Sequence, residues 1–287
     1  MPDYRYSLVD VFAANPLEGN LLPVIENADD LSTETMATLA RRFNLAETSF
    51  IQSSTSPDAT YRHRIFVITG EIPFAGHPSL GTAAVWALRH GLKKTEVVQE
   101  TLSGLQRLQV EMDGRSGQVT IWQNPPVIGA LVHAEQVLPA LGLPPEAAHP
   151  GLPLQAVSTG LPALIVPLAD VDWLRHIKLE RSRFPLSFGQ ETRTEPVMLY
   201  VVAQTSPGEW RARSFANDET VGEDPATGSA VGAFGAYLQA TTDERLFRVR
   251  QGVEMHCPSE LLVDTREGIA VSGQVHIVGE GTLFLPG

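Results

Sequence analysis

The sequence predicts an α+β fold of two pseudo-symmetric domains, each a curled, mostly antiparallel sheet or barrel wrapped round one central helix. Three observations lead there. First, the stretch E71-IPFAGHPSLGTAA-84 returns as E223-DPATGSAVGAFGA-236. Glu71, Pro73 and Gly76 fall on Glu223, Pro225 and Gly228, and His77 falls on Ser229, at a constant offset of 152 (71 to 223). Repeats set architecture, so this one is weighed before anything else. Second, alternation of apolar and polar residues, the period of a half-buried strand, dominates the chain. Third, the helix that follows each copy is apolar on nearly every side. Such a helix must be buried on every side, and little besides strands is available to bury it.

The elements follow in order. G19-NLLPVI-25 reads as a Gly followed by a Pro-bearing apolar strand, echoed by G160-LPALIV-166. Leu31 to Phe43 reads as an amphipathic surface helix, opened by a Ser32/Thr33 cap, with Met36, Leu39, Ala40 and Phe43 on one face. Tyr61 to Ile68 reads as a strand ending in Arg64-Ile65-Phe66, and Arg213-Ser214-Phe215 is its counterpart at an offset of 149 (64 to 213). The three-residue difference falls in the turn-like stretch N217-DETVGE-223. Pro78 suits the first position of a helix, which runs through Leu80 to Leu88 until Arg89-His90-Gly91; its copy runs from Ala230 to Leu238. Gly81, Ala83, Ala84, Gly232, Ala233, Gly235 and Ala236 let strands approach these helices closely. Gln106 to Met112, Gly117 to Trp122, Val197 to Ala203 and Ile269 to Val278 complete the strands, with Gly-rich turns at Asp113-Gly114 and Arg115-Ser116-Gly117. Paired prolines after Gln123-Asn124 mark a boundary. The domains are thus expected at 1–124 and 125–271, with a C-terminal strand at about 272–287 returning to the first.

The totals narrow the function. The 287 residues are 43% hydrophobic and 19% charged, which is ordinary globular composition. A net charge of −12 repels phosphate backbones and anionic membranes, so neither nucleic acid nor membrane is an expected partner. The sequence carries neither a basic-then-apolar leader nor an apolar run of membrane-spanning length, so a cytoplasmic location is expected. Cys257 is the one cysteine and reads as a small buried hydrophobe. Nucleotide-binding, nucleophile-elbow and zincin motifs are absent. The eight histidines are scattered without metal-ligand spacing, so no metal and no organic cofactor are expected.

The blocks D10-VFAANPLEGNLLPVI-25, A46-ETSFI-51, F74-AGHPSLG-81, S158-TGLP-162 and E223-DPATGSA-230 occur in one order from end to end of the chain. They resemble the phenazine-biosynthesis PhzF-like family. The resemblance implies the diaminopimelate-epimerase-like fold, an active site in the cleft between its domains, and a homodimer. One block departs from the family: where its members often carry Gly-Arg-Pro-Ser, this chain reads H256-CPS-259, and the exact substrate does not carry over.

A Gly just before a helix brings backbone N–H groups close to a ligand, where the helix dipole favours an anion. Gly76 with His77, and Gly228 with Ser229, are therefore expected to bind a substrate carboxylate or a developing enolate. The alternative from the residues alone is tight packing at a helix start. Glu47, flanked by Leu45, Ala46, Phe50 and Ile51, reads from the residues as a strand-end surface carboxylate, and His77 as a helix-capping histidine. The resemblance makes Glu47 the catalytic acid–base, and His77, Asp224 and Ser229 further active-site positions. His77 is then expected to shuttle a proton or to hydrogen-bond the substrate, and Asp224 to orient an amino or hydroxyl group. Epimerases and racemases of this fold carry a cysteine at the start of each central helix; the matching positions here are Ala75 and Thr227, so two-thiol racemisation is excluded. What remains is isomerisation by proton shift on a small carboxylated molecule, resembling trans-2,3-dihydro-3-hydroxyanthranilate isomerase. Carboxylate binding without turnover is the alternative.

Overall fold

The computed structural model describes residues 3–183, 198–216 and 222–285. It divides into two compact units, Met1–Trp122 with Ser272–Gly287, and Gln123–Val271.

In the first unit the elements are β1 (Asp3–Val11), β2 (Asn20–Ile25), α1 (Thr33–Phe43), β3 (Thr48–Gln52), β4 (Tyr61–Val67), β5 (Gly70–Ile72), α2 (Gly76–Arg89), β6 (Lys94–Thr101), β7 (Gly104–Asp113) and β8 (Ser116–Trp122). The second holds β9 (Val127–Val132), α3 (Ala134–Val137), β10 (Leu154–Ser158), β11 (Pro162–Pro167), α4 (Asp172–His176), β12 (Met198–Ser206), β13 (Glu209–Ala216), β14 (Glu223–Asp224), α5 (Gly228–Thr241), β15 (Leu246–Gln251) and β16 (Ser259–Asp264). β17 (Ala270–Phe284) brings the chain back to pair with β1 and β8.

The first unit is a closed barrel of eight strands. β17 pairs with β1, β1 with β2, β2 with β3, β3 with β4, β4 with β6, β6 with β7, β7 with β8, and β8 with β17. Closure leaves no unpaired edge. α2 lies against these strands and is buried almost throughout. It fits because its small residues admit the wall: a Cβ added at Gly81 would sit 2.7 Å from Leu22 and 3.0 Å from Val11. α1 packs on the outside, with Met36, Leu39 and Ala40 against Ile25, Phe50 and Phe66. Ser32 caps it, its hydroxyl accepting from the Thr35 N–H.

The second unit repeats the scheme. β9, β10, β11, β12, β13, β15 and β16 pair in succession, and α5 packs against β10, β11, β12 and β16. Val137, Leu138, Leu141 and Leu174 of the α3–α4 region form the outer core with Leu164, Leu199 and Val201.

The repeat has a physical meaning. Arg64 donates from Nε and Nη2 to both oxygens of Glu71, at 2.8 and 2.6 Å. Arg213 does the same to Glu223 at 2.7 Å for each bond. Each guanidinium also lies over the Phe two residues on, at 5.2 Å for Phe66 and 5.0 Å for Phe215. Glu71 and Glu223 therefore lock a hairpin, β4–β5 or β13–β14, immediately before each central helix.

Two expectations are corrected. α2 begins at Gly76 with Ala75 as its cap residue, so Pro78 is third in the helix; its missing N–H still falls among the first-turn groups that have no intrahelical acceptor. Cys257 is partly exposed, not buried. Residues 217–221 of the loop that carries the three extra residues lie outside the described set. Among the described residues no helix is long and apolar enough to cross a membrane.

Candidate active site

α1 ends where Asn44 turns left-handed at φ 52° and its N–H closes on the Ala40 carbonyl. The chain then reverses into β3, and Glu47 stands at the entrance of that strand with 16% of its side chain exposed. That largely covered position corrects the surface reading of the residue. His77, second in α2, is 2% exposed. Its Nδ1 lies 3.3 Å from Nδ2 of Asn20. An amide nitrogen only donates, so Nδ1 accepts and the ring proton sits on Nε2. Nε2 is 3.4 Å from Oε2 of Glu47, longer than the roughly 2.7–2.9 Å of a charge-assisted hydrogen bond.

Burial first, and the neighbouring His63 second, push the His77 pKa down to about 3. A buried imidazolium would lose its hydration, so the ring is neutral near neutrality. It presents an N–H to Glu47 and carries no exchangeable positive charge. Asn20 reaches the ring because the preceding loop is tightly folded: Asp10 Oδ2 accepts from the Leu17 N–H at 2.6 Å, and Gly19 turns at φ 76°.

Gly76 and His77 are the first two residues of α2, and Gly228 and Ser229 are the first two of α5; all four are buried, and neither helix start has a side-chain cap. Thr227 occupies the α5 cap position, but its hydroxyl donates to Asp224 Oδ2 at 2.5 Å. Gln251 Nε2 donates to the Asp224 carbonyl at 2.7 Å and to the Thr227 hydroxyl at 2.9 Å. Gln123 Nε2 donates to the Gly228 carbonyl at 2.7 Å, and its Oε1 accepts from the Thr159 hydroxyl. Glu47, Gly76 and His77 thus assemble in the first unit, and Asp224, Gly228 and Ser229 in the second.

The two assemblies are related position by position yet differ chemically. Thr48 pairs with Phe66, and Leu199 pairs with Phe215. Since Phe66 and Phe215 are equivalent in the repeat, Met198 stands where the first unit has Glu47. Ile65 pairs with Ile72, and Ser214 with Asp224, so Asp224 stands where the first unit has Ile72. Glu47 and Asp224 thus occupy different places on the same scaffold. Ala75 and Thr227 are the cap residues of α2 and α5.

Asn20, Thr159, Gln123 and Gln251 were not selected from the sequence. Asn20 and Thr159 lie inside two of the quoted blocks. Gln251 carries its own signal: it shares an alternating face with Phe247 and Val249, and a polar residue in the buried phase of a strand needs a reason. Among the described residues no three His, Cys, Asp or Glu side chains cluster to hold a metal ion. An open groove of about 520 Å³ lined by Lys93, Lys94, Glu111 and Asp113 shares no residue with the Glu47–His77 site.

Residues 9–287 match the PhzC-PhzF family, described as phenazine biosynthesis-like protein. An isomerase of Pasteurella multocida whose role is uncharacterized is 32% identical, over 99% of this chain and 95% of its own. The trans-2,3-dihydro-3-hydroxyanthranilate isomerase of Pseudomonas aeruginosa is 31% identical, over 99% and 98%. A PhzF-family phenazine biosynthesis protein of Bacillus anthracis superposes with a TM-score of 0.84 at 25% identity, covering 99% of this chain and all of that one. A hydroxyproline epimerase of Agrobacterium vitis, at 12% identity, shares the fold with a TM-score of 0.66 over 99% and 91%. With its barrel-and-helix units and a match that spans nearly its whole length, the chain belongs to the phenazine biosynthesis-like PhzC-PhzF family, whose curated members include isomerases.

Proposed function

We propose that the chain is an isomerase that moves a proton between two carbons of a small carboxylated molecule, with trans-2,3-dihydro-3-hydroxyanthranilate as the first substrate to test. The observation that carries this is the Glu47–His77 pair: a mostly covered carboxylate 3.4 Å from a neutral imidazole at the mouth of a buried helix. Glu47 takes a proton from one ring carbon, the electron pair moves along the allylic system, and the resulting carboxylic acid returns a proton to another carbon. Atoms and charge balance, and no external reductant or oxidant enters. His77 Nε2–H steadies the carboxylate between transfers. In the first unit the N–H groups of Gly76 and His77 take the role of anion donors; in the second, Gly228 and Ser229 offer donors of the same kind and Asp224 a carboxylate that can orient an amino or hydroxyl group. A single carboxylate that both removes and returns the proton is consistent with Ala75 and Thr227 standing where a thiol pair would be.

Incubation with the substrate in deuterated water should incorporate label at the receiving carbon, read by mass spectrometry. Glu47→Gln should abolish incorporation and turnover while its melting transition stays close to that of the parent. Full exchange by Glu47→Gln would remove Glu47 from its role. Binding of the substrate with no label in the parent protein would favour a carboxylate-binding protein instead.

A further inference from the structure

The mechanism leaves a buried polar layer in the first barrel unused. His63 on β4 is 2% exposed. Its Nε2 lies 2.9 Å from the Ser49 hydroxyl and 3.2 Å from the Thr82 hydroxyl. Its Nδ1 lies 2.9 Å from Gln99 Oε1. Gln99 Nε2 in turn donates to Ser79 at 2.8 Å and to Gln106 at 3.0 Å, and the Ser79 hydroxyl donates to the Ala75 carbonyl at 2.8 Å. Because the Gln99 nitrogen is the donor to two oxygens, its oxygen accepts from His63. Nδ1 of His63 therefore carries a proton, and burial lowers the ring's pKa to about 4, so that near neutral pH Nε2 is an acceptor for the hydroxyls.

The second unit shows what this layer looks like without that chemistry. Through the strand registers and the helix offset of 152, Ser49 corresponds to Tyr200, His63 to Ala212, Gln99 to Val249, Gln106 to Leu261, Ser79 to Val231 and Thr82 to Phe234. Six buried polar residues become five apolar ones and a tyrosine, all fully buried. Where His63 bridges Ser49 and Thr82, the small Ala212 leaves room for Tyr200 and Phe234, whose rings lie 6.1 Å apart. The scaffold thus accepts an apolar layer at this place. The polar version is the costlier one, since every buried donor needs an acceptor, and Gln106 Nε2 has no hydrogen-bond partner among the described residues.

The polar layer occurs in the unit that holds the acid–base pair, and it connects the two members. Ser49, on β3, is two residues on from Glu47, which directly precedes that strand. Ala75, reached through Gln99 and Ser79, is two residues from His77. We infer that His63 is a positioning residue for the proton shift: its hydrogen bonds to Ser49, Thr82 and Gln99 fix β3 against α2 and so set the Glu47–His77 separation. This rests on the isomerase reading for its catalytic consequence, but its geometric consequence can be measured without substrate.

The test compares His63→Ala, His63→Gln and a graft of the second unit's layer, Ser49→Tyr with His63→Ala, Thr82→Phe and Gln99→Val. The substrate-free readout is the tautomer of His77, from nitrogen chemical shifts of histidine-labelled protein at pH 7. The parent should show one tautomer, protonated on Nε2. His63→Ala, and the graft where it melts cooperatively, should show mixed tautomers. Turnover of trans-2,3-dihydro-3-hydroxyanthranilate should fall about 10- to 100-fold in kcat, the range typical of residues that orient a catalytic group, with KM changed less than about 3-fold. His63→Gln, which can still donate to Gln99, should restore most of the loss. Variants that lose only melting temperature, with one His77 tautomer and parental kcat, would overturn the proposal. An inactive parent whose variants still mix tautomers would uphold His63 as the positioning residue and refute the isomerase reading instead.

Discussion

Glu47 and His77 lie side by side but differ in environment. The imidazole is almost sealed and therefore neutral, and the carboxylate keeps a sixth of its surface in contact with solvent. The proton on His77 is placed from two sides, by Asn20, whose amide nitrogen donates to Nδ1, and by Glu47, which accepts at Nε2. Removing that amide frees the ring to take the other tautomer, which would turn a lone pair toward Glu47. Asn20→Ala should therefore lower the rate of deuterium incorporation by about 10- to 100-fold, with little change in melting temperature; an unchanged rate would show that the tautomer is held by something else. In the second unit Thr227, Gln251 and the Asp224 carbonyl form a similar hold on one carboxylate.

At the scale of elements, the two central helices explain why small residues and uncapped starts go together. A helix enclosed by strands cannot carry large side chains where a strand crosses it. Gly81 faces Leu22 and Val11 in the first barrel. At Gly232 in the second unit, a Cβ would collide with the Gln123 side chain that holds the Gly228 carbonyl. Overpacking of this kind costs about 1–3 kcal/mol. Gly81→Ala should destabilise the protein by that amount in denaturant titration, and a neutral result would mean that Leu22 yields freely. Hairpins locked by Arg64–Glu71 and Arg213–Glu223 then deliver each chain segment to its helix start.

At the scale of the whole molecule, the pH dependence of stability follows from the two buried histidines of the first unit. Both ordinarily titrate at 6.5, and burial lowers His63 to about 4 and His77 to about 3. Between those values the unfolded chain binds protons that the folded chain does not. Stability from this source is therefore complete above about pH 6.5 and is lost as pH falls toward 4 and 3. Glu100, Asp264 and Glu280, all lowered by hydrogen bonds from their neighbours, act in the same direction but only below their ordinary values near 4.5 and 3.8. Asp10, raised by burial, acts oppositely from 3.8 upward. Denaturant midpoints measured from pH 7.5 to 5 should fall, and His63→Gln should fall less steeply over the same range. A midpoint independent of pH above 5 would contradict neutral burial of both rings.

The sequence by itself determined the repeated scaffold and, of the candidate site, the residues at the two helix starts. The motif copies, the strand alternation and the all-apolar helices are short-range patterns, and they led to two sheet-wrapped helices and to Gly76, His77, Gly228 and Ser229 at their starts. Glu47 and Asp224 entered through resemblance, because an acidic residue beside a strand has no local mark that distinguishes a proton carrier from a surface charge. Only the tertiary structure decided that His77 is neutral, that Asn20 at the start of β2 helps set its tautomer, and that His63, Gln99 and Gln106 form a polar layer whose counterpart in the other half is apolar. Those facts depend on which side chains a closed barrel brings within hydrogen-bonding distance and shields from water. Proximity of that kind joins residues far apart in the chain, and no local period encodes it.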